Sequence, residues 1–190
     1  MTGLAIPVKG SLLGGLYALF SVGLSLSFGI MRLVNIAHGD LIVLSAYVAL
    51  IVVNGLDIHP LASLVVVIPA MAAVGYAMQR GLLNGTLGRD LLPPLLVTFG
   101  ISVIIQNGLL EGFGAHVRRL QAGAIETQSV LLPGGVTVGV YPMLVFAVAV
   151  VAIAGMQVLF YRTVLGRAFR AVSDDADTAE LMGVDKRHLY

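Results

Sequence analysis

Of the 190 residues, 58% are apolar, against 11 Lys and Arg and 10 Asp and Glu, and the mean hydropathy is +0.97. A soluble domain holds about half apolar residues diluted by about 25% charge, so the composition excludes one and describes an integral membrane protein. The net charge of +1 is not gathered into a basic face that nucleic acid would need, and the absence of cysteine excludes disulfides, thiolate metal sites and thiol chemistry.

Residues 10–31 form the first apolar segment, long enough to cross a hydrocarbon core of about 30 Å. No small-residue cleavage site follows it, so it reads as a retained span and not a cleaved signal. Gly10, Gly14 and Ala18, then Ser21, Ser25 and Gly29, recur every fourth residue. Such rows permit close helix approach in lipid, although glycine is also common in membrane helices without that role.

Arg32 to Asp40 interrupt the apolar pattern, and the run that follows, residues 41–53, has only 13 members. That is too short to span unaided. Starting at Ile36 gives 18 residues but sets His38 and Asp40 near a membrane boundary. A broken or re-entrant helix resolves the conflict, and interrupted spans of this kind point to translocation paths. An ordinary interfacial turn with polar caps resolves it equally.

Residues 54–60 read as a short polar turn, and residues 61–78 as a third span with Pro69 as a kink point. Arg80 and Arg89 bracket a Gly-rich loop ending at Asp90. Pro93 and Pro94 open a fourth span, residues 95–110, whose polar groups are Thr98, Gln106 and Asn107. Uncharged amides in a span either glue helices together or line a path. Residues 111–141 form a mixed loop in which the alternation of residues 134–140 allows a small hairpin at the membrane surface or an unstructured loop. Residues 142–161 are a fifth span ending in the interfacial aromatics Phe160 and Tyr161.

Residues 162–190 carry ten of the charged side chains. Val164, Leu165, Ala168, Phe169 and Val172 lie at helical spacing opposite Thr163, Arg167 and Arg170, which describes an amphipathic helix in the headgroup zone. A second, shorter helix follows, capped by Ser173 or Asp174, with Asp175 and Asp177 on its first turn and Gly183 as a left-handed stop. A helix that short is marginal alone. It is either a solvated surface helix or one that docks through the small row Ala176, Ala179 and Met182.

With residues 162–190 cytoplasmic, five spans place Arg32, Arg80, Arg89, Arg162, Arg167, Arg170, Lys186 and Arg187 inside, and Lys9, Arg118 and Arg119 outside. This basic bias sets the N-terminus out and the C-terminus in. A re-entrant second segment reverses the first assignment and leaves the second.

Several stretches carry a resemblance. Asp177-Thr178-Ala179, three residues and Gly183 resemble the coupling-helix signature of bacterial ABC importer permeases. Val34-Asn35-Ile36-Ala37-His38-Gly39-Asp40 is similar to the hallmark segment of the high-affinity branched-chain amino acid permease family, with Ile36 a departure from the usual aromatic or leucine. Thr98-Phe99-Gly100-Ile101-Ser102 with Gln106-Asn107 resembles a further motif of that family, as do the residues flanking the coupling segment, Arg162-Thr163 with Gly166-Arg167-Ala168 and Leu181 to Val184.

The resemblance implies an all-α polytopic transmembrane bundle of about five spans, divided into a permease region, 1–161, and a cytoplasmic coupling loop, 162–190. It implies a non-enzymatic permease subunit in the inner membrane, taking branched-chain amino acids from a periplasmic substrate-binding protein. Urea and short-chain amide permeases share the hallmark. The path residues would be Asn35, His38, Gly39, Asp40, Thr98, Gln106 and Asn107. The residues coupling to ATPase subunits would be Gly166, Arg167, Arg170, Asp177, Ala179 and Gly183. The partners implied are those ATPase subunits, a second homologous permease subunit and membrane lipid, with no nucleic acid. ATP would bind the ATPase subunits, since this sequence has no phosphate-binding Gly-rich Lys-Ser/Thr motif. Family members usually continue with further spans, so the expectation is of a truncated permease domain.

A self-contained secondary transporter is the competing class, but it requires ionisable groups deep in the spans, and only His38 and Asp40 come close. A membrane enzyme lacks a clustered His and carboxylate set or a nucleophile elbow.

Overall fold

The computed structural model describes residues 5–31, 33–86, 92–121, 123–132, 135–164, 166, 167 and 169. Five helices long and apolar enough to cross a membrane dominate it: α1 (Ala5–Met31), α2 (His38–Leu56), α3 (Pro60–Met78), α4 (Leu92–Phe113) and α5 (Val140–Arg162). A two-stranded antiparallel sheet, β1 (Ser129–Leu132) and β2 (Val136–Gly139), precedes α5. The helical fold class expected from the sequence, with five membrane-length helices, is therefore observed, and among the described residues this hairpin is a small departure from it. The chain divides into two compact units.

One unit contains α2, α3 and α4. Here α2 corrects the sequence reading. It runs unbroken for 19 residues, because His38, Gly39 and Asp40 form its first turn and Asn54, Gly55 and Leu56 its last. The turn expected over residues 54–60 shrinks to Asp57, Ile58 and His59. Asp57 closes α2 in the left-handed region at φ 51°, which an aspartate tolerates better than most residues. His59 then caps α3 by accepting from the Leu61 N–H at 3.2 Å through Nδ1, and Pro60 fills the first helical position, where no N–H is needed.

Pro69 lies inside α3, which passes into a π-helical turn over Gln79–Leu83. That turn occupies part of the expected Gly-rich loop and extends the apolar rod to 24 residues. In α4, the prolines stand in the first turn as expected, and Pro94, Thr98 and Ser102 form its buried row, a spacing of four that keeps one face of the helix turned inward. Gly114 ends α4 at φ 72°, with its N–H on the Leu110 carbonyl at 2.8 Å, a left-handed stop that glycine adopts without steric cost.

The second unit contains most of α1, the hairpin and α5. The alternating stretch expected as a hairpin supplies β2, while β1 comes from residues that had read as featureless loop. Val136 and Val138 turn inward from β2, 4% and 2% exposed. Gly15 of α1 lies against Phe146 of α5, where any Cβ would collide with the aromatic ring. Beyond Arg162 the chain turns at Thr163, whose hydroxyl accepts from the Gly166 N–H at 3.1 Å. This cap starts the expected C-terminal helix, of which Val164, Gly166, Arg167 and Phe169 are described.

Candidate functional site

Of the expected path residues, Asn35, Asp40, Thr98 and Gln106 lie where the chain enters α2 and where α4 receives it. Residues 33–37 are irregular, and Leu33 and Ala37 are buried within them at 4% and 0% exposure. Irregular backbone has unpaired amides, and at membrane depth each must find a partner. The Ile36 N–H donates to Thr98 Oγ1 at 3.3 Å, the His38 N–H to the Asn35 carbonyl at 3.2 Å, and the Leu41 N–H to the Ala37 carbonyl at 2.9 Å. Thr98 is wholly buried, and its hydroxyl donates in turn to the Leu95 carbonyl at 3.0 Å. A side chain of α4 thus holds the entry to α2 in place.

One turn further along both elements, Asp40 is received by α4. Its Oδ2 accepts from Ser102 Oγ at 2.5 Å and its Oδ1 from Gln106 Nε2 at 3.0 Å. Gln106 Nε2 also lies 3.2 Å from Ser102 Oγ, so the three side chains close a ring of hydrogen bonds. The carboxylate stands in the first turn of α2, where the positive end of the helix favours a negative charge. Neutral donors therefore hold it. A carboxylate offers about four lone-pair positions, and two remain beyond those the ring uses. Asp40 is only half-buried, so the remaining positions can receive a cationic or amide donor.

These contacts fix a direction. Ile36 meets Thr98, Asp40 meets Ser102 and Gln106, and the Tyr47 ring packs at a tilt against that of Phe113, with centroids 4.5 Å apart. Partner numbers rise together, so α2 and α4 run parallel, and α3 between them runs back. An unbroken α2 parallel to α4 is the pattern of successive full crossings and not of a re-entrant second segment.

Asn35 contributes a second acceptor. Its Oδ1 is buried with no hydrogen-bond partner among the described residues. Leaving such an atom unsatisfied costs about 1–3 kcal/mol, and exceptions of this kind call for an explanation in function or solvation.

Of the remaining path candidates, Gly39 is exposed and a Cβ there would meet nothing within 4 Å, so among the described residues its small size serves no contact. His38 is half-buried; two residues from Asp40, its side chain projects to a different side of the helix. Asn107 is not part of the cluster: it is exposed, and its Nδ2 donates to the Val103 carbonyl of its own helix at 2.8 Å. Sequence reasoning passed over Ser102 as a site residue, although the spacing of Thr98, Ser102 and Gln106 carried the signal.

Among the coupling candidates, Gly166 is buried where the chain leaves α5, and a Cβ there would collide with the backbone of Phe160. Arg167 donates its N–H to the Thr163 carbonyl at 3.2 Å. Arg170, Asp177, Ala179 and Gly183 lie outside the described residues.

Comparison with known proteins places the same segments in context. The family model described as "Branched-chain amino acid transport system / permease component" matches residues 6–189. The high-affinity branched-chain amino acid transport system permease protein BraD of Pseudomonas aeruginosa is 29% identical over 96% of this chain and 62% of its own length. The corresponding protein LivH of Escherichia coli K12 is 24% identical over 93% of this chain and 61% of its own. A probable branched-chain amino acid transport permease protein LivH of Methanocaldococcus jannaschii is 26% identical over 90% and 55%. The chain thus spans about three fifths of the length of the curated relatives it matches. No solved structure matches it.

Proposed function

Because the chain belongs to the family of branched-chain amino acid transport system permease components, we propose that it forms the membrane pathway of an ATP-driven importer for branched-chain amino acids. On this reading it is a transporter subunit and not an enzyme, set in the inner membrane with its C-terminus in the cytoplasm. The basic residues clustered after α5 support that orientation. ATP is hydrolysed by separate ATPase subunits that dock on residues 162–190, with Gly166, Arg167, Arg170, Asp177, Ala179 and Gly183 at the contact. A second homologous permease subunit completes the pathway, and a periplasmic binding protein delivers the substrate.

The single observation that carries the assignment to a site is the ring Asp40, Ser102 and Gln106. An ionisable side chain in a membrane protein marks a substrate or ion path by default. This one retains open acceptor positions, and Asn35, in the irregular entry to α2, holds a second buried acceptor with no partner among the described residues. Acceptors of this kind suit the ammonium group of an amino acid, while Asn35, His38, Gly39, Thr98 and Gln106 shape the passage around it.

The experiment is uptake. The chain, co-expressed with the ATPase, permease and binding-protein genes of its own operon in cells lacking leucine import, should accumulate labelled leucine and isoleucine but not urea. Accumulation of urea without leucine would assign the same fold to amide transport, and ATP-independent uptake would assign it to a secondary transporter.

A further inference from the structure

We propose that the unit formed by α1, the hairpin and α5 holds a binding site for one anionic phospholipid, with its headgroup on Lys9. A cavity of about 430 Å³ lies between Lys9, Leu12, Leu13 and Leu16 of α1 and Val138, Gly139, Tyr141, Pro142 and Val145 of the β2 to α5 junction. The four α1 residues are spaced as one helical face. Gly15, next to the lining residue Leu16, lies against Phe146 of α5 and brings the two helices together, and Val138 and Gly139 of β2 wall the cavity on another side.

The chemistry of the lining selects the occupant. All but two of the lining residues are apolar or glycine; the exceptions are Lys9 and the phenol of Tyr141. Lys9 is exposed and has no hydrogen-bond or ion-pair partner among the described residues. An apolar slot beside a single cation and a tyrosine, at the ends of two membrane-length helices, complements an acyl chain beneath a phosphate. Lysine stems snorkel to the headgroup level and tyrosines anchor there. The volume falls within the ordinary range of about 300–1,000 Å³ for small-molecule sites. A zwitterionic lipid offers the same tail with a compensating positive charge, so the site should discriminate by headgroup.

The assembled transporter, purified in detergent with dioleoyl phosphatidylglycerol or dioleoyl phosphatidylcholine added, is read by native mass spectrometry for retained lipid. Phosphatidylglycerol should be retained preferentially. Lys9→Gln should weaken that retention about 5-fold, the worth of roughly 1 kcal/mol for one basic residue near a lipid surface, while Lys9→Arg preserves it. Leu13→Trp, which fills the slot without touching the charge, should lower retention of both lipids. Equal retention by Lys9→Gln and the parent, equal retention of the two lipids, or displacement of lipid by leucine would each overturn the proposal. Should Lys9→Gln fail to insert, Leu13→Trp decides the question: lowered lipid retention in that variant supports the slot, and phosphatidylglycerol retention equal to the parent's overturns it.

Discussion

Asp40 and Ser102 lie 62 positions apart in sequence, yet Ser102 Oγ donates to Asp40 Oδ2 at 2.5 Å. This bond and its companion from Gln106 lock the first turn of α2 to the middle of α4. Removing the carboxylate therefore has two separable expected effects, one on the seam and, under the proposed function, one on transport.

The first prediction concerns the seam. Hydrogen bonds between membrane helices contribute about 0.6–2 kcal/mol each, so Asp40→Ala and Ser102→Ala should each lower the thermal stability of the detergent-purified protein. The double variant should be destabilised by less than the sum of the two, because the partners share one bond. Additive losses in that double-mutant cycle would show that the two residues do not interact.

Thr98 separates hydrogen bonding from volume. Its hydroxyl, on a wholly buried side chain, accepts from the Ile36 N–H in a part-buried bond. Thr98→Val keeps the shape and orphans that amide, at a cost of about 1–3 kcal/mol, whereas Thr98→Ser keeps the acceptor. Thermal unfolding should therefore rank the parent above Thr98→Ser and Thr98→Ser above Thr98→Val. A valine variant as stable as the parent would remove Thr98 from the account of how α2 is positioned.

Much of this was legible in the sequence, and the misses have physical causes. The four long helices other than α2 follow directly from apolar runs, and the Asn35 to Asp40 and Thr98 to Gln106 motifs identify the seam. The second span read as short because Asn54 and His38 were counted as ends. Helices accept such residues in their terminal turns, where the backbone needs polar company in any case. Ser102 escaped notice because a hydroxyl in a span is unremarkable alone. Only the row of Pro94, Thr98 and Ser102 turned toward α2 makes it specific. The cap at Thr163 and the collision at Gly166 depend on the chain reversing after α5, which no local pattern announces.

Gly166 yields a third prediction. A side chain there meets the Phe160 backbone, which cannot move aside as a flexible side chain would. Gly166→Val should re-aim residues 167–190 and reduce ATPase subunit association at least 10-fold in a pull-down, with membrane insertion unchanged. Normal association would show that the path of the chain after α5 does not govern docking.

Orientation gives a fourth. Five basic residues in residues 162–190 support the proposed cytoplasmic C-terminus by the positive-inside rule. A fluorescent or enzymatic reporter fused after Tyr190 should be active only in its cytosolic form. Activity of a periplasm-dependent reporter there would invert the topology.

The central claim is that the α2 and α4 seam borders the route of the substrate. The chain contains no cysteine, so single cysteines at Asn35 and Gln106 are the only thiols of this subunit, and their labelling is read on this subunit's band from the assembled transporter. Asn107, bonded to its own helix, and Ile104, 72% exposed on an apolar face, serve as controls. A small water-soluble thiol reagent should label the first pair, and leucine with ATP should change their labelling rate several-fold while leaving the controls unaffected. Rates at Asn35→Cys and Gln106→Cys that match Ile104→Cys and ignore leucine would reduce the Asp40 ring to a structural tie between helices.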